Sequence, residues 1–270
     1  DFAIIHWWTF AVFPMLSKAS AALSKNGCRT FIEMHEVIDQ NDSRVPFVAT
    51  ISKSLGRRLL GNSDGVIVHS DSDKKLVSDH FGINENEIKI IPLANYSKFG
   101  KREGKLEARR KLGIEHEKVI LFFGLIRKYK GVINLIKSFE AMKSEGVLLM
   151  IVGEIWDEKG QINSMVKNSD KQQDIWLFDR FVDDSEISTI YSSADLLAMP
   201  YSRASQSAVS GVAMDYGIPI VAFSVGGLTE ALGSYENSIL IEPKNIEQFS
   251  EGIREAIHWD LSEPGGFRVS

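Results

Sequence analysis

The sequence predicts an α/β protein with parallel sheets in two domains, and three observations lead there. Short β-branched or apolar runs alternate with helix-length amphipathic runs along almost the whole chain, and such alternation builds parallel sheets covered on both faces by helices. A chain of 270 residues that is 44% hydrophobic and 25% charged is long enough for two packed cores. A polar stretch at 95–117, NYSKFGKREGKLEARRKLGIEHE, separates two strand-helix series and sets a domain boundary near residue 97. A long solvated crossover inside one domain also fits that stretch.

Before the boundary the expected strands are FAIIH (2–6), TFIEMH (30–35), GVIVHS (65–70) and IKIIP (88–92). Each is short and rich in β-branched or aromatic residues, as a buried parallel strand requires. After it come VILFFG (119–124), VLLMIVG (147–153), IWLFD (175–179), LLAMP (196–200), IVAF (220–223) and SILIEP (238–243). Helices fill the intervals; 131–144, GVINLIKSFEAMKS, has apolar residues at three- and four-residue spacing. Ser70 with Asp73 reads as an amino-terminal cap, so Asp71 and Asp73 are not taken as metal ligands, and no metal is assigned. In the helix 46–60, Lys53, Arg57 and Arg58 suit either a solvated face or an anionic membrane surface. Four strands are few for an open sheet, so the first domain is expected to be incomplete. The opening DFAIIHWWTF starts inside a strand and has neither the basic region nor the cleavage site of a signal peptide.

Composition excludes several classes of function. A net charge of −5 argues against a nucleic-acid binder, which needs a basic face. The single cysteine, Cys28, rules out a disulfide framework and fits a reducing compartment. No apolar run approaches the roughly 18 residues of a membrane span. A cytoplasmic protein is expected.

In open parallel sheets, ligands bind beyond the carboxyl ends of the strands, and three loops of the second half occupy that position. GLIRKYKG (124–131) turns at Gly124 and sets Arg127, Lys128 and Lys130 ahead of a helix. Fixed cations beside oriented N–H groups are what a diphosphate needs, though a solvated basic turn has the same composition. YSRASQS (201–207) leads into a helix ending near Tyr216, and the N–H groups near Ser205, Gln206, Ser207 and Ala208 can hold an anion without a charged side chain. Ser205 or Ser207 can equally cap that helix. In SVGGLTE (224–230), Gly226 and Gly227 permit close backbone approach, and Glu230 can accept hydrogen bonds. In the first half, His6 and His35 end successive strands, where each is either a structural residue or part of a cleft.

VILFFGLIRKYKGVINLIKSFEAM together with AMDYGIPIVAFSVGGLTE resembles the GT-B glycosyltransferases of family 4, retaining enzymes that use nucleotide-sugar donors. The strand ends HWW and MHE, KIIPLANYSKF (89–99) and ADLLAMPYS (194–202) fall in the family's order, so the resemblance covers almost the whole chain. It implies two Rossmann-like domains: a partial acceptor-side domain over 1–97 and a donor-binding domain over 98–270, with the active site in the cleft between them. It further implies that Arg127 and Lys130 hold the donor diphosphate, that the backbone of Gln206, Ser207 and Ala208 faces the phosphates, and that the backbone of Arg180, Phe181 and Val182 holds the base. His35 is then placed near the reacting sugar and His6 near the acceptor side.

The implied activity is metal-independent transfer of a sugar from a nucleoside diphosphate sugar, with no other cofactor. The acceptor is a saccharide or lipid-linked hydroxyl, in cell-surface polysaccharide or glycolipid assembly at the inner membrane face. Two departures stand out. The family's paired glutamates align with Ala204 and Val212, which leaves a non-catalytic nucleotide-sugar-binding subunit as the alternative. The family's glycine-rich first strand-loop and part of its closing helices are also expected to be missing.

Overall fold

The computed structural model describes residues 1–37, 46–92, 102–142, 145–205 and 207–259, with side chains from residue 50 onward in the helix that begins at Pro46. The chain divides into two compact units, Asp1–Leu93 and Ala94–Ser270. The boundary expected at residue 97 falls within 93–101, outside the described residues.

The first unit runs β1 (Phe2–Trp7), α1 (Phe13–Lys25), β2 (Arg29–Met34), α2 (Pro46–Gly61), β3 (Gly65–Val68), α3 (Asp71–Phe81) and β4 (Ile88–Ile90). Its four strands are parallel, in the order β1-β2-β3-β4. Alternate residues Ile5, Trp7, Ile32, Met34, Val66 and Val68 are buried in one core with Leu16 of α1, Leu60 of α2 and Val77 and Phe81 of α3. The other parity is different. Phe2 is 70% exposed and Ile4 46% exposed, while Phe31 and Glu33 are half-buried. In β1 and β2 burial alternates with period two, whereas every residue of β3 is buried.

Local signals account for the helix ends. Ser70, in extended backbone, accepts the N–H of Asp73 at 3.1 Å and starts α3, while its own hydroxyl donates to Asp73 Oδ2 at 2.7 Å. Lys53, Arg57 and Arg58 are exposed on α2. Among the described residues no helix is long and apolar enough to cross a membrane.

The second unit contains α4 (Lys105–Leu112), β5 (Lys118–Phe123), α5 (Val132–Ala141), β6 (Val147–Val152), α6 (Lys159–Asn168), β7 (Ile175–Phe178), α7 (Asp184–Ser193), β8 (Leu196–Met199), α8 (Ala208–Asp215), β9 (Ile220–Phe223), α9 (Gly226–Gly233), β10 (Ser238–Ile241) and α10 (Ile246–Ala256). Six parallel strands form one sheet in the order β10-β9-β8-β5-β6-β7. Every residue of β6, β8 and β9 is buried, so both faces are covered. Leu135, Ile136 and Phe139 of α5, Ile190 and Tyr191 of α7, and Phe249 and Ile253 of α10 complete the core. Counted from β5, the strand order is 3-2-1-4-5-6, that of a dinucleotide-binding sheet. The fold class is α/β with two Rossmann-like units, as the sequence predicts.

At the amino-terminal end of this sheet Asp195 acts as a clamp. Its carboxylate accepts Lys105 Nζ and the Val119 N–H, each at 2.7 Å, and pairs with Arg109. A cavity of about 690 Å³ opens there beside Lys105, Lys118 and His258. It lies at the opposite end of the strands from the loops considered next, and Asp195 there is already paired with Lys105 and Arg109.

Candidate functional site

Strand order reverses between β5 and β8: β6 and β7 continue to one side of β5, and β9 and β10 lie beyond β8. A ligand crevice forms outside the carboxyl ends of strands at such a switch point. Here the loops 124–131 and 200–205 leave the carboxyl ends of β5 and β8.

The first loop is rigid because strand pairing continues past β5 and β6. Gly124 donates to the Val152 carbonyl at 2.9 Å, Ile126 to Glu154 at 2.8 Å, and Trp156 to Ile126 at 3.0 Å. Arg127 follows directly. Its Nε donates to Asp157 Oδ2 at 2.9 Å, the same oxygen accepts the Lys128 N–H at 3.0 Å, and the guanidinium lies 5.5 Å above the Trp156 ring. Asp157 and Trp156 had no sequence signal, because they follow a different strand from the arginine they hold.

The second loop is tied to the first. The Tyr129 carbonyl accepts the Ser202 N–H at 2.7 Å and its hydroxyl at 3.2 Å. The Arg203 guanidinium sits 4.9 Å above the Tyr129 ring, and the Tyr129 and Tyr201 rings meet edge-on at 6.3 Å. Gly131 has φ +71°, and a Cβ there would stand 2.2 Å from the Pro200 carbonyl oxygen, so no larger residue fits without moving the loop.

These contacts bring Lys130 to the start of α8. Its Nζ lies 3.1 Å from the point where a Gly124 Cβ would sit, and Val209 Cγ2, in the first turn of α8, lies 3.3 Å from that point. The Tyr201 ring centre is 5.4 Å from the amine. Burial, followed by the nearby positive charge of Arg127, lowers the Lys130 pKa from 10.5 to about 8. An ammonium so placed gains from any anion that enters.

Ser207 occupies the N-cap position of α8 in extended backbone, but its side chain makes no capping hydrogen bond; a side-chain hydrogen bond joins it to the Tyr201 phenol instead. The first-turn N–H groups, including that of Ala208, therefore receive no cap from Ser207. Ser205 and Ser207 are half-buried, and Gln206 lies outside the described residues.

The third loop closes on the second. Gly226 has φ +46°, a Cβ there would meet the Ala204 carbonyl oxygen at 2.2 Å, and the Gly227 N–H donates to that oxygen at 3.1 Å. The close approach that this glycine pair permits is thus made by the chain itself. Glu230 is exposed on α9. Ala204 is half-buried and Val212 is buried in α8.

Arg180, Phe181 and Val182 follow β7, two strands from β5. Arg180 forks onto Glu186 at 2.8 and 2.5 Å, Phe181 is 76% exposed, and Val182 is buried. Asp179 fixes this turn to the end of β6 by accepting the Ile155 N–H at 2.8 Å and Lys159 Nζ at 2.6 Å.

In the first unit, parallel register pairs His6 with Glu33. His6 Nδ1 lies 2.8 Å from Glu33 Oε2 and 2.9 Å from His35 Nε2. His35 stacks on Trp8 with ring centres 3.9 Å apart and planes at 6°. His69 Nδ1–H donates to the Ile91 carbonyl at 2.8 Å, and its Nε2 stands 3.5 Å from Glu33 Oε1. Burial lowers the His35 pKa, with His69 and His6 acting in the same direction against Glu33. Glu33 was missed in the sequence; the signal that could have found it is its place two positions before His35 at the end of β2, which puts both on one face.

The model of the glycosyl transferases group 1 family matches residues 104–263, more than half of the chain. The chain belongs to that family. Among relatives of this glycosyl transferases group 1 chain, an uncharacterized glycosyltransferase of Methanocaldococcus jannaschii is 28% identical over 204 residues, covering 73% of this chain and 52% of that protein. A D-inositol 3-phosphate glycosyltransferase of Corynebacterium aurimucosum is 25% identical over 214 residues, covering 76% and 51%. The chain thus spans about half the length of these curated relatives. In fold it is similar to HepE of Anabaena, solved with UDP and glucose, at a TM-score of 0.79 and 18% identity over 94% of this chain and 68% of that one. It is also similar to sucrose-phosphate synthase of Thermosynechococcus elongatus, at 0.73 and 18%, over 91% and 68%.

Proposed function

We propose that the protein is a retaining glycosyltransferase that takes its sugar from a nucleoside diphosphate sugar bound at the β5/β8 switch point. One observation carries the reading: Lys130, beside Arg127, is held against the first turn of α8, whose N–H groups Ser207 leaves uncapped. An anion there meets a cation and a helix amino terminus together. As the bond between the anomeric carbon and the diphosphate oxygen breaks, charge grows on that oxygen, and fixed positive groups act most strongly at that moment. The acceptor hydroxyl forms the new bond to the anomeric carbon, its proton leaves with the diphosphate, and the anomeric configuration is kept.

Further assignments belong to the same proposal: membership of family 4, a hexosyl donor, no metal in the transfer step, a saccharide or lipid-linked acceptor and cytoplasmic work on cell-surface polysaccharide at the inner membrane face. His35 is assigned to the sugar, His6 to the acceptor side, and the backbone of 180–182 to the base. Glycosyltransferase relatives, one of them acting on D-inositol 3-phosphate by its name, and a fold neighbour crystallised with UDP and glucose support this reading. Replacing Arg127 with alanine is expected to lower transfer by about two powers of ten or more, measured as product formed from a panel of nucleoside diphosphate sugars. Transfer at the unmodified rate in that variant would sink the proposal.

A second reading has its own observation. Ala204 and the buried Val212 stand where family 4 carries glutamates, and neither can hydrogen-bond a sugar through its side chain. A nucleotide-sugar-binding subunit without turnover would bind donor by calorimetry, yet give neither transfer nor donor hydrolysis.

A further inference from the structure

We propose that His6, Glu33 and His35 form a three-ligand site for a divalent transition-metal ion of the zinc type. The inference stands on the geometry of the first unit alone, and it gives His6 and His35 to the ion in place of the sugar and acceptor contacts assigned to them above. Among the described residues, these three bring their donor atoms within 4.8 Å of one another. The separations are 2.8 Å from His6 Nδ1 to Glu33 Oε2, 2.9 Å from His6 Nδ1 to His35 Nε2, and 3.8 Å from His35 Nε2 to Glu33 Oε2. Three corners of a tetrahedron around an ion with bonds of about 2.0 Å stand about 3.3 Å apart. The observed triangle is close to that size, so an ion about 2 Å from each atom sits just off its plane.

Protons alone serve this triangle poorly. An imidazole nitrogen has one in-plane position, filled by either a proton or a lone pair. His6 Nδ1 faces a carboxylate oxygen and a second imidazole nitrogen at nearly equal distances. A single proton on Nδ1 fully satisfies one of those contacts, whereas a cation is shared by all three atoms.

The surroundings orient the donors as outer groups do in metal sites. His69 stands against the other oxygen of Glu33 while anchored to the Ile91 carbonyl. Trp8 stacks on His35 and fixes its ring plane, and the His35 backbone N–H donates to the Trp7 carbonyl at 2.9 Å, which fixes the main chain there. His6 remains 55% exposed, whereas Glu33 and His35 are 19% and 14% exposed, so a fourth position opens toward solvent. Two imidazoles and one carboxylate suit zinc and its neighbours better than magnesium or calcium, which prefer all-oxygen shells.

The test uses the whole chain, stripped of metal by chelator and titrated with Zn²⁺ by calorimetry and with Co²⁺ by visible absorption. One equivalent is expected to bind at micromolar concentration, with the strong visible bands of four-coordinate Co²⁺, and to withstand excess Mg²⁺. His6→Ala, Glu33→Gln and His35→Ala should each weaken Zn²⁺ binding by about tenfold or more, while Cys28→Ser leaves it unchanged. His6 is exposed, so its variant keeps the fold, and circular dichroism verifies this for all four. Absence of saturable binding by the folded chain, affinity retained in all three ligand variants, or affinity lost only in Cys28→Ser would each overturn the proposal.

Discussion

The two sheets reach their candidate sites by different physical means. In the second unit the loops beyond β5 and β8 are held by backbone: carbonyls of Tyr129 and Ala204 accept N–H groups from the neighbouring loop, and Gly131 lets Pro200 come within reach. In the first unit His6, Glu33, His35 and His69 are held largely by one another's side chains. Backbone ties survive changes of side chain and pH, whereas imidazole and carboxylate contacts depend on protons or on a cation. A site built to hold an anion fits the first kind of support, and a site open to a metal ion fits the second.

The sharpest way to break this contrast is Gly131→Ala. A left-handed backbone with a Cβ aimed at the Pro200 carbonyl should cost at least about 3 kcal/mol and displace Lys130. Urea unfolding should report the loss in the second unit, with donor binding reduced alongside. An unchanged midpoint would mean that the loops are not locked as described.

A smaller effect sharpens the electrostatic half. The Lys130 amine is charged below about 8, so a diphosphate meets an ammonium at neutral pH. Above that value binding must first take up a proton, and donor affinity should fall by up to about tenfold per pH unit. Calorimetry from pH 7 to 9 reads this, and Lys130→Met should flatten the slope. Stability runs the other way: the folded value lies below the ordinary 10.5, so between about 8 and 10.5 the unfolded chain holds a proton that the folded chain has lost. This group's contribution to stability therefore rises with pH across that window.

The smallest effect belongs to the first unit. His6 is 55% exposed, so in metal-free protein His6→Ala should change stability by no more than about 0.5 kcal/mol. A thermal shift beyond a few degrees would mean that the imidazole cluster carries structural weight.

The ten strands among the described residues were legible: those of the second sheet's centre, as in VILFFG and IVAF, as unbroken apolar runs, and β1 and β2 as short β-branched or aromatic runs. The loops carrying Arg127, Lys130 and the start of α8 were legible too, since cations, serines and glycines follow strand ends in sequence. Their partners were less so. Asp157 and Trp156 come some thirty residues after Arg127, and Ser202 follows Tyr129 by seventy-three; nothing local marks such pairs.

Sequence by itself determined which segments are strands and helices, because burial period and capping are local properties. It also determined membership of the glycosyl transferases group 1 family, because that match rests on residues in order. Tertiary structure alone decided that β8 lies beside β5, that Lys130 therefore meets α8, and that the register of β1 on β2 brings His6, Glu33 and His35 together. Strand order and register are set by crossovers and by packing between distant segments, and these have no signature in any single stretch of chain.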